Sequence, residues 1–320
     1  MPRYYCYRDI SLVPDLGVVG SRTEADTWQT FLDREFKMPI CPSNMKCTID
    51  ADIAKQLSAD GYFYIMHRFD HDQYDFVLKA QNWDFISISI GVKPEDIELI
   101  KKISNESLRL HAVTIDVAHG HHPWVRQMIK TINSHLGSRG TRVIAGNVAT
   151  AEGANYLYES GADAVKVGIG QGMACTTKDK TGFTLPMFSC VRNIYDKYPN
   201  IPLIADGGIR CNGDVAKALV AGADMVMAGG IFAQLIDSPA KTIKGADGLK
   251  YKEYYGSASS YNKGHNRNVE GTLVCIPAEN MTYKGKLVEM TQDLQSSISY
   301  SGCKNLKNKA LTKTKWAVIR

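Results

Sequence analysis

The stretch PLIADGGIRCNGDVAKALVAGADMVMAGG, Pro202 to Gly230, contains the unit whose repetition decides the fold. An apolar run ends in a carboxylate and two glycines, a helix-like segment follows, and a second apolar run again ends in paired glycines. In the helical part Val215, Ala218 and Leu219 share one face, and Asp214 is placed to cap the first turn. Gly222 then stops the helix, because glycine takes the left-handed backbone of a helix end without a Cβ clash. Outward from this unit, short apolar segments ending in small residues recur: MPICPSN, YFYIMHR, FISISIGV, VTIDVAHG, RVIAGNVAT and DAVKVGIG precede PLIADGG and DMVMAGG, making eight in all. Several are apolar almost throughout, as parallel strands covered on both faces must be. The spacers carry helix signals: TAEGANYLYESGAD begins with Thr150 as a cap and ends at Gly161.

Eight strand-helix units that close on themselves form an α/β fold, the (β/α)8 barrel, which typically takes about 250 residues. The 320 residues are read as one such barrel, with an N-terminal extension, an active-site lid loop and a C-terminal segment making up the surplus. A doubly wound sheet would require an early glycine fingerprint followed by an acid about 20 residues on, and there is none. No apolar run approaches the roughly 20 residues that span a bilayer, and MPRYYCYRDI lacks the apolar core of a signal peptide. The expectation is a soluble, cytoplasmic protein. Eight cysteines without a CxxC pair point to reduced thiols and not to structural zinc. The net charge of +5 comes mostly from the tail lysines Lys304 to Lys315 and is read as a solvated face; nucleic-acid binding would need aromatics interleaved over a broad basic surface.

In this fold the chemistry lies at the C-terminal ends of the strands, and the unusual residues fall there. DAVKVGIGQGMACTT, Asp163 to Thr177, runs from an apolar strand into three glycines and presents Cys175 between small residues. Such a loop suits a nucleophile, since it leaves backbone groups open beside a thiolate; a free cysteine is otherwise a small buried hydrophobe. Gly207-Gly208 and Gly229-Gly230 close the last two strands before helices, where barrels cradle phosphate, although glycines there also serve tight turns. Asp206 is then placed to accept hydrogen bonds from a ribose. HGHH, His119 to His122, cannot converge on one metal ion. GSASSYNKGHNRNVE, Gly256 to Glu270, reads as a lid with phosphate donors at Gly256 and Ser257 and a proton-handling carboxylate at Glu270.

In order, YRDISLVPDLGVVGSRTEAD, PSNM, GYFYIMHRF, TIDVAHGH, IAGNVAT, KVGIGQGMACTT, the Ile204 to Gly230 stretch, YYGSAS, VEG and QDLQSSISYSG resemble the IMP dehydrogenase and GMP reductase family, its reductase branch most. The resemblance covers nearly the whole chain. No inserted regulatory (CBS) module is visible, and the long flap with an Arg-Tyr pair that serves the dehydrogenases is missing. The resemblance implies reductive deamination of GMP to IMP and ammonia with NADPH, through a covalent adduct of Cys175 at purine carbon 2, with Thr177 and Glu270 handling protons. It places GMP on Gly207, Gly208, Gly229, Gly230, Gly256, Ser257 and Arg267, with its ribose on Asp206 and its base against Met45. The nicotinamide falls to Arg68, Asp116, Val117, Ala118 and Gly170. The adenosine end meets Ser21, Arg22, Tyr300, Ser301 and Gly302 of a neighbouring subunit in a homotetramer. Potassium would sit on the carbonyls of Gly170, Gly172 and Cys175.

Three positions depart from the family pattern: Gln171 in place of a loop proline, and Thr184 and Met187 where glycine and glutamine are usual. Two other readings stand beside this one, an IMP dehydrogenase that oxidises IMP with NAD and a non-catalytic nucleotide-binding barrel. The latter would have no use for Cys175, Thr177 and Glu270 together.

Overall fold

The computed structural model describes residues 3–319. Seven parallel strands are formed by the segments read as apolar: β1 (Ile40–Pro42), β2 (Ser87–Ile90), β3 (Ala112–Asp116), β4 (Arg142–Val148), β5 (Ala164–Val167), β6 (Leu203–Asp206) and β7 (Met225–Ala228). They form one curled sheet in the order β1-β7-β6-β5-β4-β3-β2. Helices α1 (Ala51–Ala59), α2 (Gln73–Lys79), α3 (Pro94–Asn105), α4 (Pro123–Leu136), α5 (Ala151–Glu159), α6 (Met187–Lys197), α7 (Asn212–Ala221) and α8 (Tyr283–Tyr300) complete the (β/α)8 barrel. Each buries an apolar stripe, such as Val125, Met128, Ile129 and Ile132 of α4, against the strands.

The segment expected to be the second strand, YFYIMHR, lies at the free edge of β2 but makes only one parallel bridge, Met66 to Ile88. Its residues Phe63, Tyr64 and Ile65 are fully buried. A longer ladder is precluded just before β2, because Phe85's backbone groups are already engaged by side chains. Its carbonyl accepts from Tyr64 Oη (2.9 Å) and Ser58 Oγ (3.0 Å), and its N–H donates to Ser58 Oγ (2.9 Å).

Thr150 caps α5 as expected, accepting from Gly153 N at 3.1 Å. Asp214 does not cap α7. The cap position belongs to Cys211, and Asp214, one turn in, reaches back to accept from Arg210 N at 3.0 Å. Gly222 ends that helix with φ of +114°, and the Tyr195 ring lies so close that a Cβ would come within 2.3 Å of it. The tail is not merely a solvated face either: Lys309 pairs with Asp224 at 2.9 Å, and Trp316–Val318 runs antiparallel to Ile10–Leu12.

Above the strand ends, an antiparallel sheet of β8 (Thr242–Lys244), β9 (Lys250–Tyr255) and β10 (Leu273–Pro277) carries the lid between its last two strands. Among the described residues no helix is long and apolar enough to cross a membrane.

Candidate active site

A cavity of about 720 Å³ opens at the C-terminal ends of the strands, with Met45, Arg68, Asp116, Cys175, Asp206 and Glu270 in its wall. That volume lies in the range of pockets that enclose nucleotide-sized ligands. The sequence builds its centre by ending β5 at Val167 and turning at Gly168, whose φ is +131° and whose missing Cβ would stand 2.1 Å from the Asp206 carbonyl oxygen. Only glycine lets the two strand ends approach this closely.

From that turn the loop carries Cys175 to half-buried exposure. Cys175 Sγ lies 3.2 Å from Thr177 Oγ1, and Thr177 Oγ1 donates to Glu270 Oε2 at 2.8 Å. Backbone bonds hold the lid's end to this loop: Thr176 N donates to Glu270 O (2.9 Å) and Thr272 N to Ala174 O (2.9 Å). Three residues from distant parts of the chain thus form one hydrogen-bonded line from sulfur to carboxylate. None of the eight cysteines is in a disulfide, as expected. Burial pushes the thiol of Cys47 up to about 11 and that of Cys190 to about 12, and that of Cys41 further, so these three are inert.

Below the cysteine lies an ion cluster that the sequence reading missed. Lys166 Nζ donates to Asp116 Oδ1 at 2.9 Å and to Asp206 Oδ2 at 2.7 Å, and Lys166 is 2% exposed. Asn147 Nδ2 donates to the same Asp206 oxygen at 2.9 Å and to Gly168 O at 2.7 Å. Pairing sets Asp116, Gly146 and Lys166 in one row across β3, β4 and β5. Gly146 leaves the space the lysine uses: a Cβ there would stand 2.7 Å from Lys166 Cβ. Burial opposes charge on both partners, but Lys166 and then Arg68 hold the Asp116 carboxyl below its usual range, and the two carboxylates hold Lys166 above its own. The only sequence signal was a lone lysine inside an otherwise apolar strand.

Three buried polar atoms of the cavity residues have no protein partner: Asn44 Nδ2, Asn147 Oδ1 and Arg68 Nε. A built-in set of two donors and one acceptor fits a polar ligand such as a nucleotide or the ribosyl nicotinamide of a cofactor. Val117, Ala118 and Gly170 border the same cavity, as do Gly172, Thr177, Gly207, Gly256 and Ser257. Gly208, Gly229 and Gly230, expected to hold phosphate, are not in its wall. Gly229 lies under the hydroxyl of buried Tyr254, a second residue that sequence reading missed, and Gly230 under Met173.

Other expected residues do not reach the cavity. Arg267 is exposed on the lid and outside the cavity wall. Tyr300 is the last residue of α8, whose 18 residues span about 27 Å, and Ser301 and Gly302 follow it. Arg22 joins them there, its Nη1 donating to Ser296 Oγ at 3.4 Å, and Ser21 caps the turn beside it. None of the five is in the wall of this chain's own cavity. His122 is the N-cap of α4, and no cluster of metal-ligating side chains occurs among the described residues.

Two departures from the family pattern meet each other. Gln171 Nε2 donates to Thr184 Oγ1 at 2.6 Å, and Thr184 Oγ1 donates to the Ile169 carbonyl at 2.9 Å, clipping the nucleophile loop from outside. The third, Met187, is fully buried against Gly168 and Gly208. Gly172 O accepts from Cys175 N at 3.1 Å, so internal hydrogen bonds hold part of the loop that a monovalent cation was expected to hold.

Fold and cavity together are those of a (β/α)8-barrel enzyme. The family model described as IMP dehydrogenase / GMP reductase domain matches residues 4–318, and the chain belongs to that family. It is 46% identical over 313 residues, 96% of its own length and 94% of theirs, to the GMP reductases of Staphylococcus aureus strains JH9, Newman and Mu50 / ATCC 700699.

Proposed function

We propose that this chain is a GMP reductase, an oxidoreductase that converts GMP to IMP and ammonia at the expense of NADPH. The observation that carries the reading is the line Cys175 Sγ, Thr177 Oγ1, Glu270 Oε2, with spacings of 3.2 and 2.8 Å, opening into the nucleotide-sized cavity. Because Thr177 donates to Glu270, its oxygen is free to accept the thiol proton. That proton passes along the line to the carboxylate as sulfur bonds to purine carbon 2, and the Glu270 carboxyl returns it to the amino group that leaves as ammonia. The cofactor, when bound, supplies the hydride that displaces sulfur from carbon 2 and so releases IMP.

The chain's own residues do the positioning. Gly207, Gly208, Gly229, Gly230, Gly256 and Ser257 are read as the phosphate cradle, Asp206 as the ribose acceptor and Met45 as the wall against the base. Arg68, Asp116, Val117, Ala118 and Gly170 take the nicotinamide side. Arg267 would join the nucleotide only after the lid moves. Ser21, Arg22, Tyr300, Ser301 and Gly302 do not line their own cavity, which is compatible with their holding the adenosine of a cofactor bound to a neighbouring subunit, and the homotetramer itself is taken from the family resemblance. Potassium on the Gly170, Gly172 and Cys175 carbonyls enters this reading only as a support for the loop. The whole is read as one catalytic barrel with no inserted regulatory module, working in the cytoplasm.

Incubation with GMP and NADPH tests it. Absorbance at the reduced-nicotinamide band should fall, with one ammonia and one IMP formed per cofactor oxidised. Cys175→Ala should bind GMP and turn over only at trace level, and trapped wild-type protein should carry a purine adduct on Cys175 alone. Oxidation of IMP with NAD in place of this reaction would overturn the assignment.

A further inference from the structure

We infer that Lys166 is a positioning residue whose charge lets Asp116 and Asp206 be ionised together, so that each can accept hydroxyl hydrogens from a bound ribose. The inference rests on the proposed reading of Asp206 as the ribose acceptor and of Asp116 as a contact on the nicotinamide side, to which it adds that Asp116 accepts from the ribose there. Geometry carries it. A single ammonium, 2% exposed, is bonded to both carboxylates, at 2.9 and 2.7 Å. Two carboxylates within reach of one nitrogen repel strongly when neither is neutralised, and without a cation one of them takes up a proton. A protonated carboxyl is a donor, and it loses the acceptor capacity that two ribose hydroxyls require.

The surroundings offer one other cation, and it lies on the Asp116 side only. Arg68 faces Asp116, with Nη2 donating to its backbone carbonyl at 3.4 Å and not to its carboxylate. The other titratable groups that face the cluster are Cys41 on β1, Tyr7 from the N-terminal segment and Tyr254 on β9. All three are buried, and burial raises the pKa of each, so they stay neutral. Removing the lysine charge therefore leaves two carboxylates with Arg68 acting on Asp116 from a distance and no cation paired with Asp206.

The test uses Lys166→Gln, which keeps hydrogen bonding but removes the charge, and Lys166→Arg, which keeps the charge. GMP affinity is measured by calorimetry from about pH 6 to about pH 9, as a ratio to wild type at each pH so that titration of GMP cancels. For Lys166→Gln the ratio should be weakened about tenfold at the acid end and recover towards the alkaline end, the span expected if burial and repulsion raise one carboxyl from its ordinary value of about 4 to about 7. Lys166→Arg should give a flat ratio near one. A Lys166→Gln ratio that is flat with pH, whether near one or uniformly low, overturns the inference. If Lys166→Gln does not fold, Lys166→Gln/Asp116→Asn removes the repulsion and should fold; failure of that double variant as well would make the lysine a structural ion only. Asp206→Asn separates the two readings: unchanged GMP affinity in that variant refutes Asp206 as the ribose acceptor, whereas a large loss there combined with a flat Lys166→Gln ratio refutes only the role of the lysine.

Discussion

Replacing Thr177 by valine nearly keeps the side-chain volume and removes the one oxygen that stands between sulfur and carboxylate. Thr177 Oγ1 is 3.2 Å from Cys175 Sγ and 2.8 Å from Glu270 Oε2, and no direct bond joins the outer two. At the bond angle of a hydroxyl those spacings leave sulfur and carboxylate about 5 Å apart, too far for direct transfer. A valine methyl fills the gap and keeps water out, so the line is cut and not merely lengthened. A positioned acid or base contributes about 10²–10⁴ in rate, and kcat should fall by about 10²–10³, or roughly 3–4 kcal/mol of barrier. KM for GMP should stay within about twofold, because no cradle residue is touched. Thr177→Ser, which restores the oxygen, should recover most of kcat. The assay is NADPH oxidation with GMP, accompanied by the rate of Cys175 alkylation with iodoacetamide as a function of pH. At neutral pH alkylation should be slower in Thr177→Val than in wild type, and the two should converge at alkaline pH, where a thiol ionises without a base. A valine variant within threefold of wild-type kcat would refute the relay, and alkylation profiles that coincide at every pH would refute its action on the thiol.

Glu270→Gln should reproduce the kcat loss of Thr177→Val, and the double variant should be no slower than either single one, since residues acting in one line do not add; additive losses would show two separate roles. Gln171→Ala and Thr184→Val each cut the clip on the nucleophile loop and should lower kcat by about fivefold, the value of one partly exposed hydrogen bond, with Thr184→Ser near wild type; a change in KM alone would point to the nucleotide cradle instead. His67 is 6% exposed, and burial, with His71 and Lys46 nearby, pushes its pKa down to about 4. The unfolded chain therefore takes a proton below about pH 6.5 that the folded one refuses. Stability is complete above that pH and falls as pH drops towards 4, by about 2 kcal/mol at pH 5. The melting temperature of His67→Asn should fall less steeply between about pH 7 and 5 than that of wild type; parallel curves would show that His67 is not the group responsible.

Much of this was legible in the chain because it is local. Each apolar segment reports its own burial, and Thr150 or Gly222 reports a helix end within a few residues of itself. Cys175, Asp206 and the paired glycines stood out because barrel strands end at the site by construction. What failed was non-local. YFYIMHR has the composition of a strand, but whether it forms a ladder depends on Ser58 and Tyr64 engaging Phe85 first. Gln171 and Thr184 look like two unrelated departures until the fold brings the amide of one to the hydroxyl of the other.

Lys166 shows the limit most clearly, and it also shows how fold and chemistry depend on each other here. Periodicity assigns it to a buried strand, where an unpaired ammonium would be prohibitively costly, so the sequence alone implies that an anion must meet it. Which anion it is depends on register. Asp116 pairs across to Gly146 and Gly146 across to Lys166, while Asp206 ends the strand on Lys166's other side. A one-residue slip between any two of these strands would turn a member of the row to the other face and strand the rest of the cluster in the core. The same charges that would prepare the cavity for two sugars therefore penalise misregistered barrels, and Gly146, which has no side chain to offer, serves both ends by leaving the lysine room to cross.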